Sequence, residues 1–394
     1  GVLGTSTALI GDSITARGNS ITGTSPSLQT DQRGWFHHAN LALGGRMRMA
    51  GNFSASGKRA DEVLSEQVPQ VLAMDPLPTF CVVNAGANDL VAARTSAAII
   101  ADLTAIYDAL YDAGITVVAT TILPRTGGTA GTATKTYEIN RAIKTMARTR
   151  RRFVLCDWFA PMADSAGAPA TGVLSDGLHP STKGGVIMGK TLAPLLEPLA
   201  PIVDPLPAPG DTTTNRLSNG YQTGTSGTVS SPATGTVATG WTLSTINGTP
   251  TMAGSKVART DGIPGEWQQI VATGNVQYLT TVDSSTFAVG NWLQAVVEFE
   301  VDAGVYPMIW AVFNSKQSDG VTNGGGMGHL GDDGSGTNAW EYLPSSGVIV
   351  TEPWQIPVGT SLPFNPMTFI IRIMGASSST VRIGRCGFYV VEAA

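Results

Sequence analysis

Hydrophobic and polar positions change rhythm once along this chain, near residue 200. Before that point, short apolar runs alternate with longer segments whose apolar residues recur every three or four positions. The runs at 7–10, 46–50, 80–84, 115–121 and 153–157 predict strands. Between them, Ile99, Leu103, Ile106 and Leu110 share a helical face, and Gly114 follows as a C-terminal cap. Ile139, Ile143 and Met146 mark a further helix. Strands alternating with helices predict a parallel sheet covered on both faces, an α/β architecture.

After residue 200 the helical period fades. Short runs at 276–282, 292–301, 308–313, 367–373 and 387–391 are separated by turn residues and predict strands of a β-sandwich or jelly roll. A proline-rich stretch at the junction reads as a semi-rigid linker. The organisation expected is therefore 1–200, a linker at 201–212, and a mainly-β domain at 213–394. The Gly-rich segment 319–336 is expected to be a loop. Six of the eight tryptophans lie in this second half. Trp292 and Trp310 sit in apolar runs and are assigned to its core, whereas Trp340 and Trp354 are the candidates for exposure.

Composition narrows the partners. The 394 residues carry a net charge of -5, which disfavours nucleic acid. No apolar run is long enough for a transmembrane helix. The first residues show neither a basic segment nor a cleavage site, so the chain reads as cytosolic, as a trimmed mature form or as a fragment. Three cysteines, at 81, 156 and 386, make no disulfide framework and read as buried apolar residues. No Cys/His cluster has zinc spacing, and neither a metal nor an organic cofactor is expected.

The chemistry starts where the first strand ends. Gly11-Asp12-Ser13 delivers a hydroxyl to the carboxyl edge of a sheet, where open α/β folds keep their sites. A serine hydroxyl is a weak nucleophile and needs a base, with a third group to orient that base. Asp176-Gly177-Leu178-His179 supplies both on one turn, so Asp176 can fix the imidazole tautomer while His179 reaches Ser13. Two further blocks complete the set: Ser56-Gly57 after the second strand and Gly86-Ala87-Asn88-Asp89 after the third.

These four blocks, in this order, resemble the SGNH/GDSL hydrolase family over residues 1 to about 200. The resemblance implies a flavodoxin-like three-layer α/β/α sandwich and a serine esterase with catalytic Ser13, Asp176 and His179. It also implies an oxyanion hole built from the backbone N–H of Ser13, the backbone N–H of Gly57 and the side-chain amide of Asn88. Glycine allows close backbone approach, and an amide donates without a charge. Gly51 is a rival for the Gly57 role. Lys58-Arg59 departs from the small polar residue usual there, and either attracts an anionic substrate or is merely solvated. Asp12 and Asp89 are expected to support loops.

Several other patterns have plainer readings. Gly184 to Thr191 satisfies the P-loop expression but follows a helix start, so it reads as helix packing beneath His179. Arg148, Arg150, Arg151 and Arg152 read as a solvated helix end. His37 and His38 read as helix-face residues, and Trp35 is a candidate to line the substrate cleft.

The leading expectation is a carbohydrate O-acetylesterase, because the loop 17–33 is polar and an aromatic-rich β module follows. A lipid or aryl esterase is the alternative within the family. A non-enzymatic surface or virion component retaining the fold is the alternative outside it. The expected partner is an acylated, chiefly acetylated, carbohydrate. The β module is expected to bind glycan, to form homo-oligomers or to attach to a larger assembly. An extracellular, cell-surface or virion location is favoured over the cytoplasm.

Overall fold

A computed structural model describes residues 4–302, 307–331, 346–375 and 377–392. The chain divides into two compact units. One comprises residues 4–20 and 32–202. The other comprises residues 21–31 and the described residues from 203 onward.

The first unit is built on five parallel strands in the spatial order Met47–Asn52, Thr5–Gly11, Phe80–Asn84, Thr116–Thr120 and Phe153–Cys156. All five residues of Phe80–Asn84 are buried, as expected of a strand covered on both faces. Helix Ser96–Asp112 turns Ile99, Leu103, Ile106 and Leu110 inward and is capped by the Thr95 hydroxyl, which accepts from the N–H of Ala98. Gly114, at φ +90°, ends it. Helix Thr132–Met146 buries Ile139 and Ile143. Counted in chain order, the strands run 2-1-3-4-5, so the switch point falls between Thr5–Gly11 and Phe80–Asn84.

The P-loop-like segment lies inside helix Thr182–Leu196. A side chain at Gly185 would collide with the carbonyl of Arg33, and one at Gly189 with the backbone of Trp35 and Ala39. These glycines let the helix lie against Trp35–Ala42, which is their packing role. Trp35 is fully buried, 4.8 Å from Trp158, and so lines no cleft. His37 and His38 are buried as well, and burial beside His38 pushes the His37 imidazole down to about 3. The arginine cluster is engaged locally: Arg150 pairs with Asp108, and Arg152 lies over Tyr111.

The second unit holds two seven-stranded sheets. Phe388 on one sheet meets Phe313 and Phe369 of the other at 5.0 and 6.4 Å, so their inner faces form a shared aromatic core. Strands Val276–Thr281, Trp292–Val301, Met308–Lys316, Met367–Met374 and Ser379–Val391 overlap the apolar runs, the last beginning eight residues before its run.

Three expectations fail here. Residues 323–331 of the Gly-rich segment form strand Asn323–Gly331, buried over nearly its whole length rather than looped. Trp354 is 2% exposed, because its ring packs near Phe313 and its indole N–H donates to the carbonyl of Pro26. Trp292 and Trp310 are only partly buried: Trp292 packs against the separate cluster of Val296, Tyr389 and Val391, and the guanidinium of Arg372 lies over the Trp310 ring. Trp340 lies outside the described residues.

The polar loop 17–33 also contains structure. Its segment Ser27–Asp31 is a strand, paired in parallel with Asn323–Gly331. Among the described residues, no helix is long and apolar enough to cross a membrane.

Candidate active site

Strand Thr5–Gly11 ends in a backbone turn that only glycine permits. Gly11 has φ +148°, and a Cβ there would collide with the carbonyl of Asn84 on the neighbouring strand. The side chain of Gln67 clamps this turn. Its Oε1 accepts from the N–H of Gly11 at 2.8 Å, and its Nε2 donates to the carbonyl of Gly11 at 2.9 Å. Asp12 then caps the short helix that starts at Ser13, its Oδ1 accepting from the N–H of Ile14 at 2.9 Å. Ser13 is thereby fixed at the carboxyl edge of the sheet, beside the switch point.

The turn carrying Asp176 and His179 organises itself. Oδ1 of Asp176 accepts from the backbone N–H of His179 at 2.8 Å and of Leu178 at 3.1 Å. Gly177, at φ +82°, permits the reversal. The other carboxylate oxygen, Oδ2, lies 2.7 Å from Nδ1 of His179, and Nε2 of His179 lies 2.8 Å from Oγ of Ser13. Burial works to raise the carboxyl of Asp176, but the hydrogen bonds from the backbone and ring of His179 and the backbone of Leu178 outweigh it. Asp176 is held well below the usual carboxylate range. An ionised Asp176 accepts the proton of Nδ1 and leaves Nε2 as the acceptor facing the serine hydroxyl.

Asn88 is tied to the residue that follows Gly57. The amide of Asn88 donates one N–H to the carbonyl of Lys58 at 2.9 Å, which leaves its second N–H. The backbone N–H groups of Ser13 and Gly57 have no protein acceptor among the described residues. Gly57 is exposed, at φ +80°. Gly51 lies within strand Met47–Asn52. Lys58 is paired with Glu66 and Glu62, and Arg59 with Asp61, so acids of the following helical segment hold both cations.

Asp89 is buried and joins two blocks: Oδ2 accepts from the N–H of Ala60 at 2.9 Å, and Oδ1 from Arg94 at 2.6 Å. Asp12 is buried too. Its Oδ2 has no partner, and burial, reinforced by the nearby charge of Asp89, raises its carboxyl to about 7 despite the hydrogen bond from Ile14.

Two neighbours carry no sequence signal. Gln67 is an isolated glutamine 56 residues from its partner. Arg17 has Nη1 at 2.8 Å from Nδ1 of His179 and 3.3 Å from Oδ2 of Asp176, with its side chain half exposed.

A hydroxyl, an imidazole and a carboxylate thus stand in line at the carboxyl edge of a 2-1-3-4-5 parallel sheet. Residues 9–185 match the model of the GDSL-like lipase/acylhydrolase family and form a domain of it. Solved structures similar to this chain include a carbohydrate esterase family 3 protein from Talaromyces cellulolyticus, 20% identical over 50% of this chain and 98% of that one, with a TM-score of 0.38. A GDSL-like lipase from Bacteroides thetaiotaomicron is 19% identical over 49% of this chain and 88% of that one, with a TM-score of 0.39. An acetyl esterase variant determined with acetate is 19% identical over 50% and 98%, with a TM-score of 0.38. No curated protein matches the chain.

Proposed function

We propose that this protein is a serine esterase that removes O-acyl groups, chiefly O-acetyl groups, from a polysaccharide. The observation that carries the reading is the line Ser13 Oγ to His179 Nε2 to Asp176, with contacts of 2.8 and 2.7 Å. In this reading Ser13 attacks the ester carbonyl while His179 takes its proton. Asp176 holds the tautomer and stabilises the imidazolium. The N–H groups of Ser13 and Gly57 and the free N–H of Asn88 receive the developing oxyanion. His179 returns the proton to the leaving alcohol of the sugar. It then activates water, which releases the acid from Ser13.

The polar character of the catalytic turns supports a carbohydrate substrate. Arg17 and Asp176 are half exposed, and Asn88 is partly so. Val91 is the exposed apolar side chain nearest Asn88 in sequence, whereas Leu72, Leu77 and Leu199 lie on other segments. A long acyl chain would need a continuous apolar floor.

The test compares p-nitrophenyl esters of increasing chain length with acetate release from acetylated polysaccharides. The reading predicts highest kcat/KM on the acetate ester, together with acetate release from polymer. Preference for chains of eight or more carbons would make it a lipid esterase. No turnover of any ester would make it a binding protein.

A further inference from the structure

Beside the catalytic turns, the α/β unit contains a cavity of about 200 Å³, lined by Pro124, Arg125, Thr129, Thr132, Tyr137 and Phe159 among others. Its wall is tied to the candidate active site at two points. Nη1 of Arg125 donates to the carbonyl of Ala87 at 3.3 Å, one residue before Asn88. The N–H of Thr126 donates to the carbonyl of Gly177 at 2.8 Å, between Asp176 and His179. The cavity wall thus adjoins the segments that carry Asn88 and His179.

The lining is cationic and hydroxylic, and no acidic side chain contributes to it. Nε of Arg125 is buried with no acceptor. A buried guanidinium N–H without a partner calls for a hydrogen-bond acceptor, most favourably an anionic one. Helix Thr132–Met146 begins at the cavity, with Gly131 as its N-cap and no side-chain cap. Its first turn adds the positive end of the macrodipole, although the N–H of Thr132 already donates to the carbonyl of Thr129 at 3.0 Å. The hydroxyls of Thr129 and Thr132 lie 3.1 Å apart. Tyr137 is 52% exposed, its ring 5.4 Å from that of Phe159, and offers an aromatic face with a polar rim.

We propose that this cavity is a subsite for a carboxylate-bearing sugar of the substrate. Arg125 and the helix end hold the carboxylate, and Tyr137 packs against the sugar ring. The polysaccharide is then an acidic one. The link to hydrolysis rests on the esterase reading above, whereas binding of the acidic sugar does not.

The experiment is calorimetric titration of the full chain carrying Ser13→Ala with trigalacturonate, galactotriose and inorganic phosphate. The expected result is trigalacturonate binding at least ten-fold tighter than galactotriose or phosphate. Adding Arg125→Gln should weaken trigalacturonate at least ten-fold. Tyr137 is on the surface, so Tyr137→Ala should fold and should weaken trigalacturonate several-fold. Equal affinity for the acidic and neutral trisaccharides would overturn the proposal, as would no trigalacturonate binding. Phosphate bound as tightly as trigalacturonate would make this a free-anion site and also overturn it. If trigalacturonate binds as expected but the unmutated chain releases acetate from no acetylated polymer, the subsite stands and the esterase reading fails.

Discussion

Nη1 of Arg17 lies 2.8 Å from Nδ1 of His179, on the side of the ring that also faces Asp176. A guanidinium can only donate, so it cannot share the Nδ1 proton and instead competes for Oδ2 of Asp176. It also places a positive charge beside a ring that becomes an imidazolium in the proposed acyl transfer. At this exposed position the repulsion amounts to about 1 kcal/mol at most. Arg17→Gln is therefore expected to raise kcat on a small neutral ester by roughly five-fold at low salt, with the gain shrinking as salt is added. Steady-state kinetics at two ionic strengths check this. A fall in kcat would show that Arg17 holds Asp176 in place.

Asp12 links stability to pH. Its carboxyl titrates at about 7 in the folded protein against 3.8 as the ordinary value. Between those values the folded state binds the proton more tightly, so the contribution of Asp12 is complete below about pH 4 and is lost as pH rises through 7. Asp12→Asn removes that loss and keeps an oxygen to cap Ile14. Relative to the unmutated chain, the variant should gain on the order of 1–4 kcal/mol between pH 4 and pH 8. Urea unfolding at the two pH values measures it. An equal difference at both would contradict the buried carboxyl's titration.

Asn88 has one N–H committed to Lys58 and one to spare. Asn88→Ala is expected to lower kcat by roughly 10²–10³-fold, as for one lost oxyanion donor. KM should change little, because that donor acts on the transition state. A change confined to KM would assign Asn88 to ground-state binding.

The strand Ser27–Asp31 belongs to the mainly-β unit although it precedes most of the α/β unit in the chain. The backbone N–H of Leu330 donates to the hydroxyl of Thr30 at 2.9 Å, and Trp354 donates to Pro26 at 2.9 Å. A fragment of residues 203–394 lacks these partners and leaves Asn323–Gly331 as an open edge. Its Tm should rise by several degrees when a peptide of residues 21–31 is added. An unchanged melting curve would mean that the strand is dispensable.

Legibility in the sequence followed the range of the interactions. The five parallel strands were readable because strands such as Phe80–Asn84 are buried on both faces and run apolar throughout. The turn Asp176 to His179 was readable because its bonds span three residues. The strand Ser27–Asp31 was not, because all its residues but Leu28 are polar and its partner lies some 300 residues away. Asn323–Gly331 looked like a loop because it is glycine-rich. Its glycines instead allow close approach: a side chain at Gly326 would strike the carbonyl of Phe313, and one at Gly328 the ring of Trp310. Gln67 and Arg17 act through contacts 56 and 162 residues apart, with no local pattern to announce them.

The central claim is that Ser13 is the nucleophile, and its most direct test is the kcat of Ser13→Ala on p-nitrophenyl acetate beside a thermal melt. The 2.8 Å contact with His179 predicts a loss of at least about 10³-fold at unchanged Tm, leaving only binding and oxyanion stabilisation. Retention of more than about a tenth of the activity in a folded variant would contradict it.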